Sequence, residues 1–413
     1  MKRKLLRQIC NEWTANVWLC VELLIVSVVM WYITDLFYTS WSTYHEPRGF
    51  ATDHCYLIKH STLSPKSAEY KPYEGNGPMR DDFIKLFEAL QSRPEVEAVA
   101  AGFASYFYNG SNAYLKVQND SLGLKKSIHV RTVSQDFPIV FDIHGINGET
   151  PQQLSELIRD NMKNGFLASA NLLGADRESE LRNMVGKTFD IQGDTLVLAG
   201  LYKTARYDDY RSADQSASII IPSRAKYLPD GEIMVRIKPK MDRNFADNLM
   251  KEADNYRFGN FYIAAVTPFS HIRDMYHREK EQEILKMGVA LGFLALNIFL
   301  GILGTFWFRT RQRTGEIALR MVCGATRGMV FRRVVAEGEL LLLIVTPIAI
   351  VIDWLLTRYE LCTFYLGDYF VASRFTVCVL ISWSLLALMI FLGSLFPALR
   401  ATRIVPAVAL KDE

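Results

Sequence analysis

Three observations predict a membrane protein with four transmembrane α-helices and a large extracytoplasmic α+β domain between helices 1 and 2. The first is four apolar runs. Met287–Phe308 and Phe375–Leu399 carry no charge, Val17–Tyr38 carries only Glu22 and Asp35, and Leu340–Leu356 carries only Asp353. A helix crosses a hydrocarbon core about 30 Å thick with ~20 apolar residues. The second is the placement of basic residues. Lys2, Arg3, Lys4 and Arg7 precede the first run, seven arginines lie between the second and third, and Arg400, Arg403 and Lys411 follow the fourth. If the helices cross in turn, all three groups fall on one side. Retention of Lys and Arg makes that side cytoplasmic, with both termini on it. The third is the stretch of residues between the first two runs, long enough to bury a core of its own.

The chain then divides in order. Residues 1–16 are a basic, amphipathic cytoplasmic segment, read equally well as a surface helix or a plain positive anchor. The first span is 17–40. Trp31, Tyr32, Phe37, Tyr38 and Trp41 crowd its outer end as an interfacial belt. No small-residue cleavage site follows, so the run reads as an uncleaved anchor. Glu22, inside this span, reads as lying near the inner headgroups or bonding another helix.

Residues 41–270 form the outer domain. Asp81–Arg93 has apolar positions at helical spacing. Val96–Tyr108, Ala113–Val117, Ser127–Val133, Ser218–Pro222, Glu232–Lys238 and Phe261–Thr267 read as strands. Phe137–Gly145 reads as a turn into an extended stretch, and Phe245–Tyr256 as a helix. Phe189–Tyr202 alternates around Gly193-Asp194, a hairpin signal. Strands mixed with helices predict two small βαβ-like lobes. Tyr207-Asp208-Asp209-Tyr210-Arg211 reads as a solvated polar loop.

A stalk helix at 271–286 leads to the second span, 287–308. Gly288, Gly292, Gly301 and Gly304, with Asn297 at mid-depth, suit a helix–helix seam. Loop 309–333 follows, then the third span 334–357, kinked at Pro347, a short outer loop 358–374, the fourth span 375–397 and a cytoplasmic tail 398–413.

Loop 309–333 carries more than topology. Arg309, Arg311, Arg313, Arg320, Arg327, Arg332 and Arg333 surround Glu316. From Thr314, Ile317, Leu319, Met321 and Val322 alternate with Glu316 and Arg320 as in a short amphipathic helix. Gly324-Ala325-Thr326 offers a helix stop, after which a second helix runs into the third span. An elbow of this build suits docking onto a soluble partner.

Arg313, Glu316, Ile317, Arg320, Gly324, Ala325 and Arg327 spell R-x-x-E-I-x-x-R-x-x-x-G-A-x-R. This resembles the cytoplasmic loop of FtsX-like, MacB-type ABC transporter permeases. Pro397-Ala398-Leu399-Arg400-Ala401 and Pro406-Ala407-Val408-Ala409-Leu410 resemble the family's closing motif. Asp136-Phe137, Gly165–Ala170, Val185-Gly186-Lys187 and the hairpin are similar in order to a MacB-like periplasmic core.

The resemblance implies an inner-membrane permease subunit that dimerises with itself or a paralogue. It would couple ATP hydrolysis by a separate ATPase, which carries the ATP and Mg, to movement of the outer domain. Arg313, Glu316 and Arg320 would contact the ATPase through charge-assisted hydrogen bonds, and Ile317 and Leu319 would fill its groove. The chain begins sixteen residues before the first span, so the ATPase is expected on another chain. A periplasmic adaptor is a further expected partner. The alternative is a non-transporting FtsX-like regulator that activates a periplasmic cell-wall enzyme.

No residues point to catalysis, metal or nucleic acid. Gly186-Lys187-Thr188 lacks the glycine of a phosphate loop, since Leu181 stands in its place. The seven histidines have no ligand spacing and no serine sits in G-x-S-x-G. The six cysteines form no framework, with a Cys55–Cys362 bridge left open. The net charge of +3 gives no sign of a polyanion partner.

Overall fold

The computed structural model describes residues 13–110, 113–312, 314–359 and 371–401. It separates into two units, Met1–Ser42 with Glu283–Glu413 and Thr43–Gln282.

The helices in chain order are α1 (Trp13–His45), α2 (Asn76–Gln91), α3 (Phe137–Val140), α4 (Pro151–Asp160), α5 (Glu178–Arg182), α6 (Phe245–Lys251), α7 (Phe269–Gln312), α8 (Thr314–Val322), α9 (Arg327–Arg358) and α10 (Ala372–Ala401). The strands are β1 (Cys55–Thr62), β2 (Val96–Phe103), β3 (Ala113–Asn119), β4 (Leu124–Val133), β5 (Gly165–Ser169), β6 (Thr188–Ile191), β7 (Asp194–Tyr202), β8 (Ser218–Pro222), β9 (Glu232–Ile237) and β10 (Phe261–Pro268).

In the first unit, α1, α7, α9 and α10 are each long and apolar enough to cross a membrane. The chain is a multi-pass membrane protein. Leu19, Leu23, Val26, Met30 and Ile33 line one face of α1. They pack on Leu341, Leu342 and Val345 of α9 and Leu386 and Ile390 of α10. Charges in apolar surroundings persist only when paired. Asp35 accepts two bonds from the Arg374 guanidinium, 2.7 Å from Nε to Oδ1 and 2.5 Å from Nη2 to Oδ2. Glu22 accepts from Thr305 Oγ1 at 3.3 Å, so it bonds another helix, one of the two placements expected. Helix α9 continues unbroken past Pro347.

The second unit is built on one ten-stranded sheet with two lobes. The first has strand order β10-β1-β9-β2. Strands β1 and β2 both run antiparallel to β9, which lies between them, so β1-α2-β2 is a split βαβ unit. Phe83, Leu86, Phe87 and Leu90 fall at i, i+3, i+4 and i+7 and bury the inner face of α2 against Val99, Ala101, Ile233 and Val235.

The second lobe departs from the βαβ expectation. Strands β4-β3-β6-β7-β5-β8 follow one another, and β8 pairs back onto β4. This closes a small barrel around Val117, Ile128, Val130, Phe166, Phe189, Leu198 and Ile219. Closure is possible because β4 has ten residues: one part pairs with β3, and His129–Val133 pair in parallel with β8. Closing the sheet removes its open edges.

Other differences are local. The extended reading of Val96–Tyr108 stops at Phe103, where Ala104 and Tyr108 take left-handed backbone conformations. Phe137–Val140 is a helical turn rather than extended chain. The second half of Phe245–Tyr256 is a 3-10 turn after α6. The β6–β7 hairpin turns on Gln192-Gly193, both with positive φ, as a two-residue primed turn requires. Helix α4 has no counterpart among the sequence expectations, although Thr150 and Gln153 form the capping box that starts it.

Candidate functional site

The elbow is built by helix-ending chemistry. Gly324 has φ +93°, Ala325 N donates to Arg320 O at 3.0 Å, and Gly324 N donates to Met321 O at 3.1 Å. This paired pattern is a Schellman motif, and the left-handed glycine is what it calls for. Thr326 then caps α9, its Oγ1 accepting from Met329 N at 3.3 Å. The three-residue corner Gly324-Ala325-Thr326 thus stops one helix and starts the next.

Within the elbow, Ile317 is buried against Val330, with Met321 and Ala325 alongside. The Ile317 side chain, expected to fill a partner's groove, holds α8 onto α9 here. Leu319, Val322 and Met329 are the exposed apolar side chains here, at 54%, 59% and 58% exposure. Glu316 and Arg320 form an i,i+4 ion pair on the outer face of α8. Arg313 lies outside the described residues, and Arg327 is the first residue of α9.

The expected seam divides. A side chain at Gly288 would touch the Phe37 ring at 3.5 Å, and one at Gly301 would meet Glu22 Oε1 at 3.7 Å. These two glycines bring α7 close to α1. Gly292 and Gly304 face open space. Asn297 donates to Phe293 O of its own helix at 2.7 Å and makes no interhelical bond among the described residues. At a glycine not expected, Gly393 of α10, a side chain would come within 3.4–3.5 Å of Ile302 and Leu303 of α7. Of the tail motif, Pro397, Ala398 and Arg400 belong to α10, while Pro406 and Leu410 lie outside the described residues, as does Cys362. Cys55 is buried and free.

The largest correction concerns residues 206–211. The sequence suggests a solvated loop, yet Arg206, Tyr207, Asp208 and Asp209 are all buried. The Arg206 guanidinium donates to three carbonyls: Arg211 at 2.8 Å, Glu46 at 2.8 Å and Asp209 at 2.6 Å. A cation beside three carbonyl oxygens is satisfied without a carboxylate and fixes the loop's curve. Asp208 Oδ1 accepts from the backbone of Tyr210 and Arg211, and Tyr276 Oη donates to its Oδ2 at 3.3 Å.

Asp209 is the centre of this hub. Its carboxylate is 1% exposed and accepts from Arg273 Nε at 2.6 Å and from Tyr108 Oη at 3.1 Å. Arg48 Nε is 3.9 Å away. His277 Nε2 lies 3.2 Å from Oδ2, off the hydrogen-bond line, so that contact is electrostatic. Burial raises the Asp209 carboxyl, but the contacts from His277 and Arg273 outweigh it and hold it at about 2.

The hub therefore joins both connections between this domain and the spans. Tyr44 lies in the last turn of α1, Glu46 and Arg48 come just after it, and Arg273, Tyr276 and His277 lie on the first turns of α7. Arg273 Nη2 also donates to Tyr44 Oη at 3.1 Å. Backbone packing is close: a side chain at Gly49, φ +77°, would come within 2.0 Å of Thr204 O, so only glycine fits. The spacing of Arg273, Tyr276 and His277 at i, i+3 and i+4 is the sequence signal that marks this face of the stalk.

Residues 288–406 match the family model of the FtsX-like permease C-terminal region. That stretch of the chain is FtsX-like. The FtsX-like region takes in the span portion of α7, the elbow, α9 and α10. No curated protein matches the chain. Among solved structures, it is similar to the periplasmic region of MacB from Actinobacillus actinomycetemcomitans, with 13% identity and a TM-score of 0.32 over 57% of this chain and 97% of that one. It is also similar to the extracellular domain of the noncanonic ABC-type transporter YknZ from Gram-positive bacteria, with 11% identity and a TM-score of 0.30 over 50% of this chain and 98% of that one.

Proposed function

We propose that this FtsX-like permease is the membrane subunit of an ABC-type efflux or mechanotransmission system, driven by a separate ATPase that binds ATP and Mg. The observation that carries the reading is the FtsX-like match over 288–406, which takes in the elbow. The elbow lies among arginines of the kind retained on the cytoplasmic side, which supports a cytoplasmic partner. Leu319, Val322 and Met329 offer apolar side chains for a partner groove, and the Glu316–Arg320 pair offers charge on the same helix. Ile317 acts from beneath, holding α8 against α9 so that a push on one reaches the other.

Movement then travels along α7, which continues from the second span into the stalk without a break. At its far end the hub ties Arg273, Tyr276 and His277 to loop 206–211. A helix displaced by ATPase closure would carry the α+β domain with it, since the buried ion pair resists separation. Two copies of the chain, or one with a paralogue, would meet two ATPases.

The test is co-purification from native membranes. The tagged chain is expected to retain a soluble ABC ATPase. Leu319→Asp, which places a charge where an apolar side chain would be buried, is expected to weaken that binding by about 2 kcal/mol, roughly thirtyfold. Ile317→Val should have little effect. Equal retention by the native chain and Leu319→Asp would overturn the reading.

A further inference from the structure

Inside the four-helix unit, a cavity of about 30 Å³ lies among α1, α9 and α10. That volume holds a water-sized species. Its polar lining is Ser27, Trp31, Thr346, Asp353 and Ser382. Asp353 is 3% exposed and its Oδ1 has no hydrogen-bond partner. Trp31 is 2% exposed and its Nε1 likewise has none.

The three hydroxyls have already used their protons. Ser27 donates to Leu23 O, Thr346 to Leu342 O and Ser382 to Cys378 O, each at 2.7 Å. A hydroxyl that donates along its own helix turns lone pairs outward. The site therefore offers three hydroxyl oxygens and a carboxylate as acceptors, with the Trp31 N–H as donor.

No cation in the protein balances Asp353 among the described residues. Asp35 of α1 is held by Arg374 and lies near Cys378 of α10. Glu22 of α1 sits against Thr305. On α9 itself, Glu337 and Glu339 lie toward the opposite end, ~21–24 Å along the helix by its rise per residue. Arg358 is exposed. An ionisable group at membrane depth persists where it has a partner or a role.

We propose that this cavity binds a water-sized monovalent cation, sodium, with Asp353 as its counter-charge and the hydroxyls of Ser27, Thr346 and Ser382 as further oxygen ligands. Trp31 Nε1 would donate to the carboxylate or to water accompanying the cation. Occupation draws α1, α9 and α10 together around the site. This reading stands on the geometry of the bundle and is independent of ATPase coupling.

The test uses the full chain in nanodiscs. Its apparent melting temperature is followed from pH 8 to pH 5, and separately from 0 to 300 mM sodium chloride at pH 8 with choline chloride keeping ionic strength constant. A rise with falling pH that Asp353→Asn abolishes, without any response to sodium, would show only a protonated carboxyl and overturn the proposal. A rise with sodium that Asp353→Asn abolishes identifies sodium. Ser382→Ala keeps the counter-charge and removes one ligand, so the concentration giving half the effect should shift at least threefold while the fold survives. Labelling with an apolar carbodiimide, located by mass spectrometry, should place an adduct on Asp353 that sodium or high pH suppresses. Identical pH and sodium responses in the native chain, Asp353→Asn and Ser382→Ala would overturn the proposal.

Discussion

Replacing Asp209 with Asn should loosen the outer domain. The native carboxylate is buried, accepts from Arg273 and Tyr108, and has Arg48 and His277 close by. Asn keeps the size and one acceptor but leaves the Arg273 and Arg48 guanidinium groups without a counter-charge. Two routes give the magnitude. A carboxyl held at about 2 rather than 3.8 corresponds to about 2 kcal/mol of stability. Breaking a buried pair from one side costs about 3–5 kcal/mol. A loss of about 2–4 kcal/mol in a domain of this size lowers the melting temperature by roughly 5–15 °C.

The pH dependence has a fixed sign. The folded carboxyl titrates below the unfolded one, so its contribution is present above pH ~4 and is lost as pH falls toward ~2. Differential scanning fluorimetry on the full chain in detergent reads both effects. At pH 7 the Asn variant should melt well below the native chain, and the gap should shrink as pH falls from 4 toward 2.5. A gap under 1 °C at pH 7, or one that widens in acid, would refute the hub's electrostatic account.

Two further perturbations follow. Glu232 is pushed up to about 7 by burial, against the backbone N–H groups of Ser105 and Ala104, and its Oε2 has no hydrogen-bond partner. Its contribution is full below the unfolded value near 4.5 and is lost as pH rises through about 7. Glu232→Gln should therefore stabilise the domain by up to about 3 kcal/mol at pH 8 and little at pH 5. A pH-independent difference in melting temperature would contradict this. Gly324→Ala meets no steric obstacle, but φ +93° costs an L-residue about 1–2 kcal/mol. Hydrogen exchange at Gly324 and Ala325 should speed roughly tenfold, and unchanged protection would show that the corner does not depend on its glycine.

The membrane half of the fold was legible because its signal is local. Uncharged runs announce the spans, and the elbow's helix, stop and restart lie within Thr314–Arg327. Most strands were legible from alternation for the same reason. Closure of the barrel was not, because alternation marks a strand without naming its partner, and β4 meets different partners along its length. Loop 206–211 was misread for a related reason. Two aspartates between arginines and tyrosines look solvated until Arg48, Tyr108, Arg273 and His277 arrive from distant parts of the chain. Ile317 and Leu319 are both apolar positions of an amphipathic helix, and only packing decides that the first faces inward and the second outward.

If an ATPase docks on the elbow, a probe placed there will reach it. Cys323, at the tip of the elbow, is exposed and gives a native handle on it. A photoreactive maleimide attached there, in inverted membrane vesicles, should crosslink to a nucleotide-binding ABC subunit identified by mass spectrometry. The product should disappear in Cys323→Ala and fall sharply in Leu319→Asp. Crosslinks confined to lipid or to the chain itself, or a thiol reached only from the opposite face of the membrane, would contradict the account.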